Sequence, residues 1–219
     1  MPDYEVETVT LRIGSSDYRI RSLVDLRQFS DPDGLAEQAG ISSAAWPIFG
    51  VVWPSALAIA AEMALIPIDA RRILEVGCGI GLSSLVLKQR GADITACDHH
   101  PLAGEFLRHN SDLNGLSPIA FHNAPWAGPN PLLGLFDLII GSDLLYERDH
   151  PRLLAGFIAA HAKPRAQVVL ADPGRRLCGQ FSSAMAKQGY ARTEKRMAFA
   201  PSDIAPFRSR IMSFVRGAN

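Results

Sequence analysis

Polar and apolar positions alternate at the start of the chain, with Val6, Thr8, Thr10 and Arg12 on one side and Glu7, Val9, Leu11 and Ile13 on the other. That period of two predicts a strand. Gly14-Ser15-Ser16-Asp17 is turn chemistry and residues 18–23 predict a second strand, so the chain opens on a hairpin. Residues 30–45, rich in Ser, Asp, Gly and Ala, predict a loop or a short lid helix. The pattern then changes. Pro54 suits the first turn of a helix running to about Ile66, and its apolar stretch from Ala56 is broken only by Glu62. Beyond it, short apolar runs at 72–76, 92–98, 118–122, 135–142 and 167–171 predict strands. Helical patterns at 82–91, 101–114, 150–162 and 176–188 separate them, and two last strands are predicted at 192–199 and 210–215. This order predicts an α/β fold: a doubly wound, mostly parallel seven-stranded Rossmann-like sheet with an N-terminal β-hairpin extension. The near-continuous apolar run at 135–142 is what a central parallel strand requires.

At 219 residues the chain has room for one large core with a small appendage, divided as an N-terminal hairpin and lid segment (1–45) and a main domain (46–219). Composition, with 47% hydrophobic and 20% charged residues, is that of an ordinary globular protein. A net charge of zero gives no overall electrostatic case for a nucleic-acid partner or an anionic membrane. The charge is uneven, however: residues 1–110 carry 9 basic and 14 acidic side chains, and residues 111–219 carry 13 and 8. Cys78, Cys97 and Cys178 form no C-x-x-C pair and read as reduced thiols of a cytoplasmic protein. The N-terminus has no apolar leader and the run from Ala56 to Ile66 is too short to span a bilayer, so no membrane association is expected. Nothing in the pattern sets an oligomeric state.

Candidate chemistry concentrates where the strand at 72–76 meets Gly77, Gly79 and Gly81. Glycines there permit positive φ and let a ligand rest on backbone that carries no Cβ. The next strand ends in Asp98, placed to accept hydrogen bonds from ribose hydroxyls of NAD or of another adenosine ligand. The spacing discriminates between them. A dinucleotide fingerprint needs glycine at 82 or 84, where Leu82 and Ser84 stand. What is present is acid-x-G-x-G-x-G, with Glu75 at the strand end. A carboxylate beside a pyrophosphate is electrostatically poor, but beside the amino group and sulfonium of S-adenosyl-L-methionine it is favourable. Cys78 lies within that motif and His99 follows Asp98.

Other candidates sit at the same edge of the predicted sheet. Trp46-Pro47-Ile48-Phe49-Gly50-Val51-Val52-Trp53-Pro54 makes an aromatic entrance ahead of a helix. Trp53 walls the pocket or packs in the core; an aromatic face attracts a sulfonium. Asn123 and Trp126 follow the third main strand, where one could read an adenine edge and the other stack on it, with a simple turn as the alternative. Ser142 closes the fourth strand and Asp143-Leu144-Leu145-Tyr146 comes just past it, where ligands of open α/β sheets bind. For Asp143 the competing reading is a helix N-cap. His99 and His100 are adjacent and cannot form an i, i+4 metal pair, so no metal is expected and both read as surface or loop residues.

Together these residues resemble the seven-β-strand class I S-adenosylmethionine-dependent methyltransferases, and among them the protein-lysine methyltransferase family 16. Trp53-Pro54, Glu75 to Gly81, Asp98 and Trp126 carry the resemblance, and Asp143-Leu144-Leu145-Tyr146 fits the family's acidic-x-x-aromatic motif. Asp172-Pro173-Gly174-Arg175 is similar to the branch acting on lysines of the electron-transfer-flavoprotein β subunit. The resemblance implies S-adenosyl-L-methionine as cofactor, S-adenosyl-L-homocysteine as product, and a protein lysine as acceptor. It implies that Asp143 and Tyr146 act on the acceptor while Trp53, Glu75, Gly77, Cys78, Gly79, Gly81, Asp98, His99, Asn123, Trp126 and Ser142 hold the cofactor. A small-molecule amine of the nicotinamide type or an RNA base are alternative acceptors. A non-catalytic binding module on the same fold is a third reading.

Overall fold

The computed structural model describes residues 4–25, 31, 33–43, 48–199 and 207–217. The expected Trp46-Pro47 part of the aromatic entrance and the 45/46 boundary lie outside the described residues. The hairpin forms from β1 (Val6–Ile13) and β2 (Ser16–Leu23), paired antiparallel with Ile13 opposite Ser16, so the turn is shorter than the four residues expected. Gly14 takes φ 59 there, a value that favours glycine. Residues 30–45 contribute one short helix, α1 (Leu35–Gln38), whose first amides are met by Asp31: Oδ1 accepts from Ala36 N and Oδ2 from Glu37 N, both at 2.9 Å.

The main body runs α2 (Pro54–Met63), β3 (Arg72–Val76), α3 (Leu82–Gln89), β4 (Asp93–Asp98), α4 (Ala103–Leu113), β5 (Ala120–Asn123), β6 (Phe136–Ser142), α5 (His150–His161), β7 (Ala162–Asp172), α6 (Cys178–Lys187), β8 (Ala191–Phe199) and β9 (Phe207–Arg216). Seven strands join in the order β5-β4-β3-β6-β7-β9-β8. β3 to β7 pair in parallel, and β9 enters antiparallel between β7 and β8. β7 and β9 are longer than expected: β7 starts at Ala162 directly after α5 and not at Gln167, and β9 runs Phe207–Arg216 against 210–215.

The period of two along the strands fills two cores. Ile73, Ile94, Leu138, Ile140 and Val169 pack toward Ile59, Leu85 and Phe106 of α2, α3 and α4. Leu74, Val76, Ile139, Val168 and Leu170 pack toward Phe157, Phe181 and Met185 of α5 and α6. Tyr18, Ile20 and Leu23 of β2 belong to the first of these cores. The backbone of β2 facing α4 is met by two asparagines one helical turn apart. Asn110 Oδ1 accepts from Arg21 N at 2.7 Å and Asn114 Oδ1 from Arg19 N at 2.9 Å. Their amide nitrogens donate back to Arg21 O and Arg19 O. Asn110 also donates to Ile80 O at 2.9 Å, tying the hairpin to the glycine turn after β3. Such pairing satisfies an otherwise open strand edge.

Candidate active site

The C-terminal ends of β3, β4 and β6 open on a cleft of about 110 Å³ whose walls include Trp53, Gly77, Gly79, Asp98, Asp143 and Tyr146. A second cavity of about 350 Å³ shares Ile41, His99, Trp126 and Tyr146 with it and extends toward Glu147 and Asp149. Among the described residues, neither lining contains a lysine or an arginine.

Leu144 explains why two of the surrounding positions are glycine. A Cβ on Gly77 would stand 2.5 Å from Leu144 Cδ2, and one on Gly141 would stand 2.5 Å from Leu144 Cδ1. The leucine is buried, each methyl seated on bare backbone of a neighbouring strand end. It anchors the turn that carries Asp143 on one side and Tyr146 on the other. Gly79 is different: it takes φ 53 and nothing lies within 4 Å of where its Cβ would be, so it presents open backbone to the cleft. A Cβ on Gly81 would meet Leu107 Cδ1 at 2.3 Å, so this glycine serves packing of α4 against the turn.

Asp98 holds the glycine turn from the side. Its Oδ2 accepts from Gly79 N at 2.8 Å and its Oδ1 from His100 N at 2.9 Å. Each oxygen keeps a second lone pair for a ligand hydroxyl. His99 is part-exposed on the rim, its Nδ1 3.7 Å from Asp98 Oδ1. His100, read as a surface or loop residue, is instead buried and stacked on Phe49, with ring centroids 3.8 Å apart and 4° between planes. Burial lowers its pKa to about 4, so the ring is neutral.

Glu75 does not line the cleft. It shares strand parity with Ile73 and turns under α3, where Oε2 accepts from Ser84 N at 2.9 Å and from the Ser84 hydroxyl. Burial raises its carboxyl to about 7, against the lowering effect of the Ser84 bonds. Cys78 is buried and also absent from the lining, and Asn123 ends β5 with an exposed side chain. Of the expected cofactor residues, the structure gathers Trp53, Gly77, Gly79, Asp98, His99, Trp126 and Ser142 around the cleft. Trp53 is fixed by its indole N–H, which donates to Ile48 O at 2.9 Å.

Asp143 sits at φ 57, a left-handed conformation that non-glycine residues seldom adopt. Its side-chain Oδ1 accepts from Arg175 Nη1 at 2.7 Å, while Oδ2 is buried with no hydrogen-bond partner among the described residues. Burial raises the carboxyl's pKa; Arg175 and Ser55, which face it, pull it back. Tyr146 meets the His150 ring edge-on at 4.4 Å, and His150 in turn meets Trp126 at 5.0 Å. His150 Nδ1 lies 2.8 Å from Leu144 O and Nε2 3.4 Å from Glu147 Oε2, which fixes the ring between the acidic turn and α5. His150, Phe49, Ser55 and Arg175 are not among the expected site residues. His150 follows Tyr146 by four residues; Phe49 and Arg175 lie in stretches the sequence marks, the aromatic entrance and Asp172-Pro173-Gly174-Arg175, without a role of their own, and Ser55 carries no local signal. Among the described residues no group of three or more His, Cys, Asp or Glu could hold a metal ion, and no helix is long and apolar enough to cross a membrane.

A family model described as a methyltransferase domain matches residues 54–215. The chain belongs to the methyltransferase domain family. Its cofactor is S-adenosyl-L-methionine, and the residues present fit that group. Among the described residues two carboxylates and no lysine or arginine line the cleft, which suits a ligand with an ammonium and a sulfonium better than a pyrophosphate. The bare backbone at Gly79 gives it a seat.

The chain is 30% identical over 141 residues to an electron transfer flavoprotein β subunit lysine methyltransferase of Xenopus laevis, covering 63% of this chain and 55% of that protein. It is 32% identical over 145 residues to the protein N-lysine methyltransferase METTL21A of Danio rerio, covering 61% of this chain and 66% of that one. It spans only about half the length of the flavoprotein-subunit methyltransferases it matches. Among solved structures, the 16S rRNA N2 G1207 methyltransferase of T. thermophilus superposes with a TM-score of 0.64 at 16% identity, covering 98% of this chain and 51% of that one. The magnesium protoporphyrin IX methyltransferase of Synechocystis superposes with a TM-score of 0.58 at 16% identity, covering 86% of this methyltransferase domain chain and 93% of that one. These two likenesses establish the fold: a seven-stranded methyltransferase sheet with a hairpin added at its N-terminus.

Proposed function

We propose that this methyltransferase acts on a primary amine, the side-chain nitrogen of a lysine in a protein substrate, with the electron-transfer-flavoprotein β subunit as the first candidate. The observation that carries the reading is the Asp143 carboxylate. The carboxylate lies in the cleft wall beside Gly77 and Gly79 with Arg175 and Ser55 facing it, and its buried Oδ2 has no hydrogen-bond partner among the described residues, an arrangement costly to a fold unless a donor arrives. An ammonium is such a donor. The similarity to two kinds of lysine methyltransferase supports the same acceptor.

S-adenosyl-L-methionine supplies an electrophilic methyl on a sulfonium whose departure needs no acid catalyst. The protein's share is alignment. Gly77 and Gly79 offer backbone for the cofactor to lie against, Asp98 offers acceptors for the ribose hydroxyls, and Trp126 and His99 offer ring faces for the base. Asp143 binds the acceptor nitrogen through an N–H and so fixes the direction of its lone pair. A lysine must lose a proton before it attacks. From a pKa of about 10.4, that costs about 4.6 kcal/mol at pH 7, and the positive cofactor with its apolar walls lowers the cost. Tyr146 lines the alkyl stem; burial pushes its hydroxyl up to about 12, so it stays protonated and is no general base.

Calorimetry should show binding of S-adenosyl-L-homocysteine and none of NAD. Incubation with methyl-labelled cofactor and a cell lysate should place label in protease-sensitive material that hydrolyses to methyllysine, and Asp143→Ala should abolish it. Label in the nuclease-sensitive or small-molecule fraction would replace the acceptor. Binding without turnover on any fraction, unchanged by Asp143→Ala, would make the chain a binding module.

A further inference from the structure

The loop after β7 is folded onto the acceptor carboxylate. Arg175 Nη1 lies 2.7 Å from Asp143 Oδ1 and 3.0 Å from Asp172 Oδ2, one nitrogen joining two carboxylates. The arginine is not a loose surface side chain. Its own backbone N–H and that of Gly174 donate to Asp172 Oδ1 at 2.7 and 2.6 Å, and the Cys178 thiol donates to the same oxygen at 3.1 Å. Gly174 takes φ 99, and the Arg210 Nε lies 2.8 Å from where its Cβ would stand, so the turn is pinned from the β9 side too. The result is asymmetric. Asp143 Oδ1 is taken from within the protein, and Oδ2 is buried with no hydrogen-bond partner among the described residues.

We infer that Arg175 is a positioning and specificity-determining residue, occupying one oxygen of Asp143 so that the site accepts a point-charge amine and excludes a guanidinium. This rests on the reading above, that the cleft takes S-adenosyl-L-methionine and delivers a nitrogen to Asp143. A guanidinium binds a carboxylate best through two parallel N–H bonds to its two oxygens. Oδ1 keeps a second lone pair, but using it would set a second guanidinium against that of Arg175 at the same oxygen, so the fork has one tine to place and leaves donors unpaired. An ammonium on a flexible stem needs one oxygen. Arg175 has a second effect on the same group. The surroundings of Asp143 contain Asp172 from β7, which disfavours its charge, and Ser55 from α2, which favours it. The Cys178 thiol of α6 donates to Asp172, Arg210 of β9 stands opposite Asp172 in the sheet register, and Asp98 and Tyr146 stand across the cleft. Arg175 is the cation in direct contact, so it holds the carboxylate ionised and ready to accept.

The test uses two probes on the full chain saturated with S-adenosyl-L-homocysteine: butylammonium and methylguanidinium, titrated while the Asp143 carboxyl is followed by carbon NMR. Asp143→Asn identifies the signal. Wild type should prefer butylammonium by about tenfold, the value of one charged hydrogen bond the fork cannot make. In Arg175→Gln that preference should fall toward unity, and the Asp143 midpoint should rise by about one pH unit. Arg175→Lys, which keeps the charge, should restore the midpoint. Equal binding of the two probes to wild type, a measurement needing no variant, overturns the inference. So does an Arg175→Gln protein with both preference and midpoint unchanged. If wild type fails to bind S-adenosyl-L-homocysteine, the cofactor reading falls, while the Asp143 titration in ligand-free protein still decides whether Arg175 sets its charge.

Discussion

Leu144 is the hinge of a testable coupling between the glycine turn and the acidic turn. Gly77→Ala places a methyl 2.5 Å from Leu144 Cδ2, at a backbone φ of 61. The left-handed conformation alone costs a non-glycine residue about 1–2 kcal/mol. Displacing a buried leucine whose other methyl is already wedged against Gly141 adds about 1–3 kcal/mol. The substitution should therefore destabilise by about 2–5 kcal/mol, lowering the melting temperature by about 5–15 °C in a chain of this size. Leu144→Ala alone should cost about 2–5 kcal/mol through the cavity it leaves. Combined, the two should cost less than their sum by about 1–3 kcal/mol, because the alanine methyl at 77 enters space the leucine vacates. Gly79→Ala is the control: its φ is 53 and its Cβ would meet nothing within 4 Å, so it should show backbone strain of about 1–2 kcal/mol and no coupling to Leu144. It should also weaken S-adenosyl-L-homocysteine binding, since the new methyl stands in the cleft. Urea unfolding of wild type, the three single variants and the Gly77→Ala/Leu144→Ala and Gly79→Ala/Leu144→Ala doubles measures the couplings, thermal unfolding the shift in melting temperature, and calorimetry the affinity. If Gly77→Ala and Leu144→Ala add to within about 0.5 kcal/mol, the seating of Leu144 on bare glycine backbone is wrong.

Three further outcomes are expected. Glu75 has a folded-state pKa raised to about 7 from 4.5, chiefly by burial, so the folded protein holds this proton after the unfolded chain has released it. Stability should thus be full below pH 4.5, fall by about 3 kcal/mol between there and pH 7, and then level off. Glu75→Gln should flatten that slope in urea unfolding at pH 5 and pH 8, and an unaltered slope would refute the assignment. Asp98→Asn leaves one acceptor oxygen for the Gly79 and His100 amides, and stranding one N–H costs about 1–3 kcal/mol. Affinity for S-adenosyl-L-homocysteine should fall about tenfold by calorimetry, and an unchanged Kd would count against Asp98 as the turn's anchor. Arg90 donates to Met63 O and, at 2.8 Å, to Ile66 O, closing the end of α2. Arg90→Ala should destabilise by about 2–3 kcal/mol in thermal unfolding without altering cofactor affinity, and a loss confined to binding would show the contact matters elsewhere.

How much of this was legible in the sequence depends on how far each contact reaches along the chain. The strand ending at Val76, the three glycines and the helix from Leu82 are consecutive, and their boundaries follow from residue type alone. So does the arrival of Asp98, Ser142 and Asp143 at one edge of the sheet, because parallel strands all end there. The first half of β7 carries no apolar pattern, since Lys163-Pro164-Arg165 is polar; its backbone is extended all the same, with Ala162 paired to Phe136 of β6 and Arg216 of β9 donating to the carbonyls of Ala162, Lys163 and Pro164. Glu75 was read as facing a ligand because acid-x-G-x-G-x-G places it at the strand end. Parity with Ile73 does turn it toward α3, but the partner that absorbs its charge, Ser84, is specified only once that helix lies over the sheet. Arg175 is harder still. It stands 32 positions from Asp143, with α5 and β7 between, and no spacing rule connects them. A motif therefore names the carboxylate that reaches the cleft, while the fold decides how many of its oxygens remain free. On the proposal that Asp143 receives the acceptor nitrogen, that number is what separates an ammonium from a guanidinium.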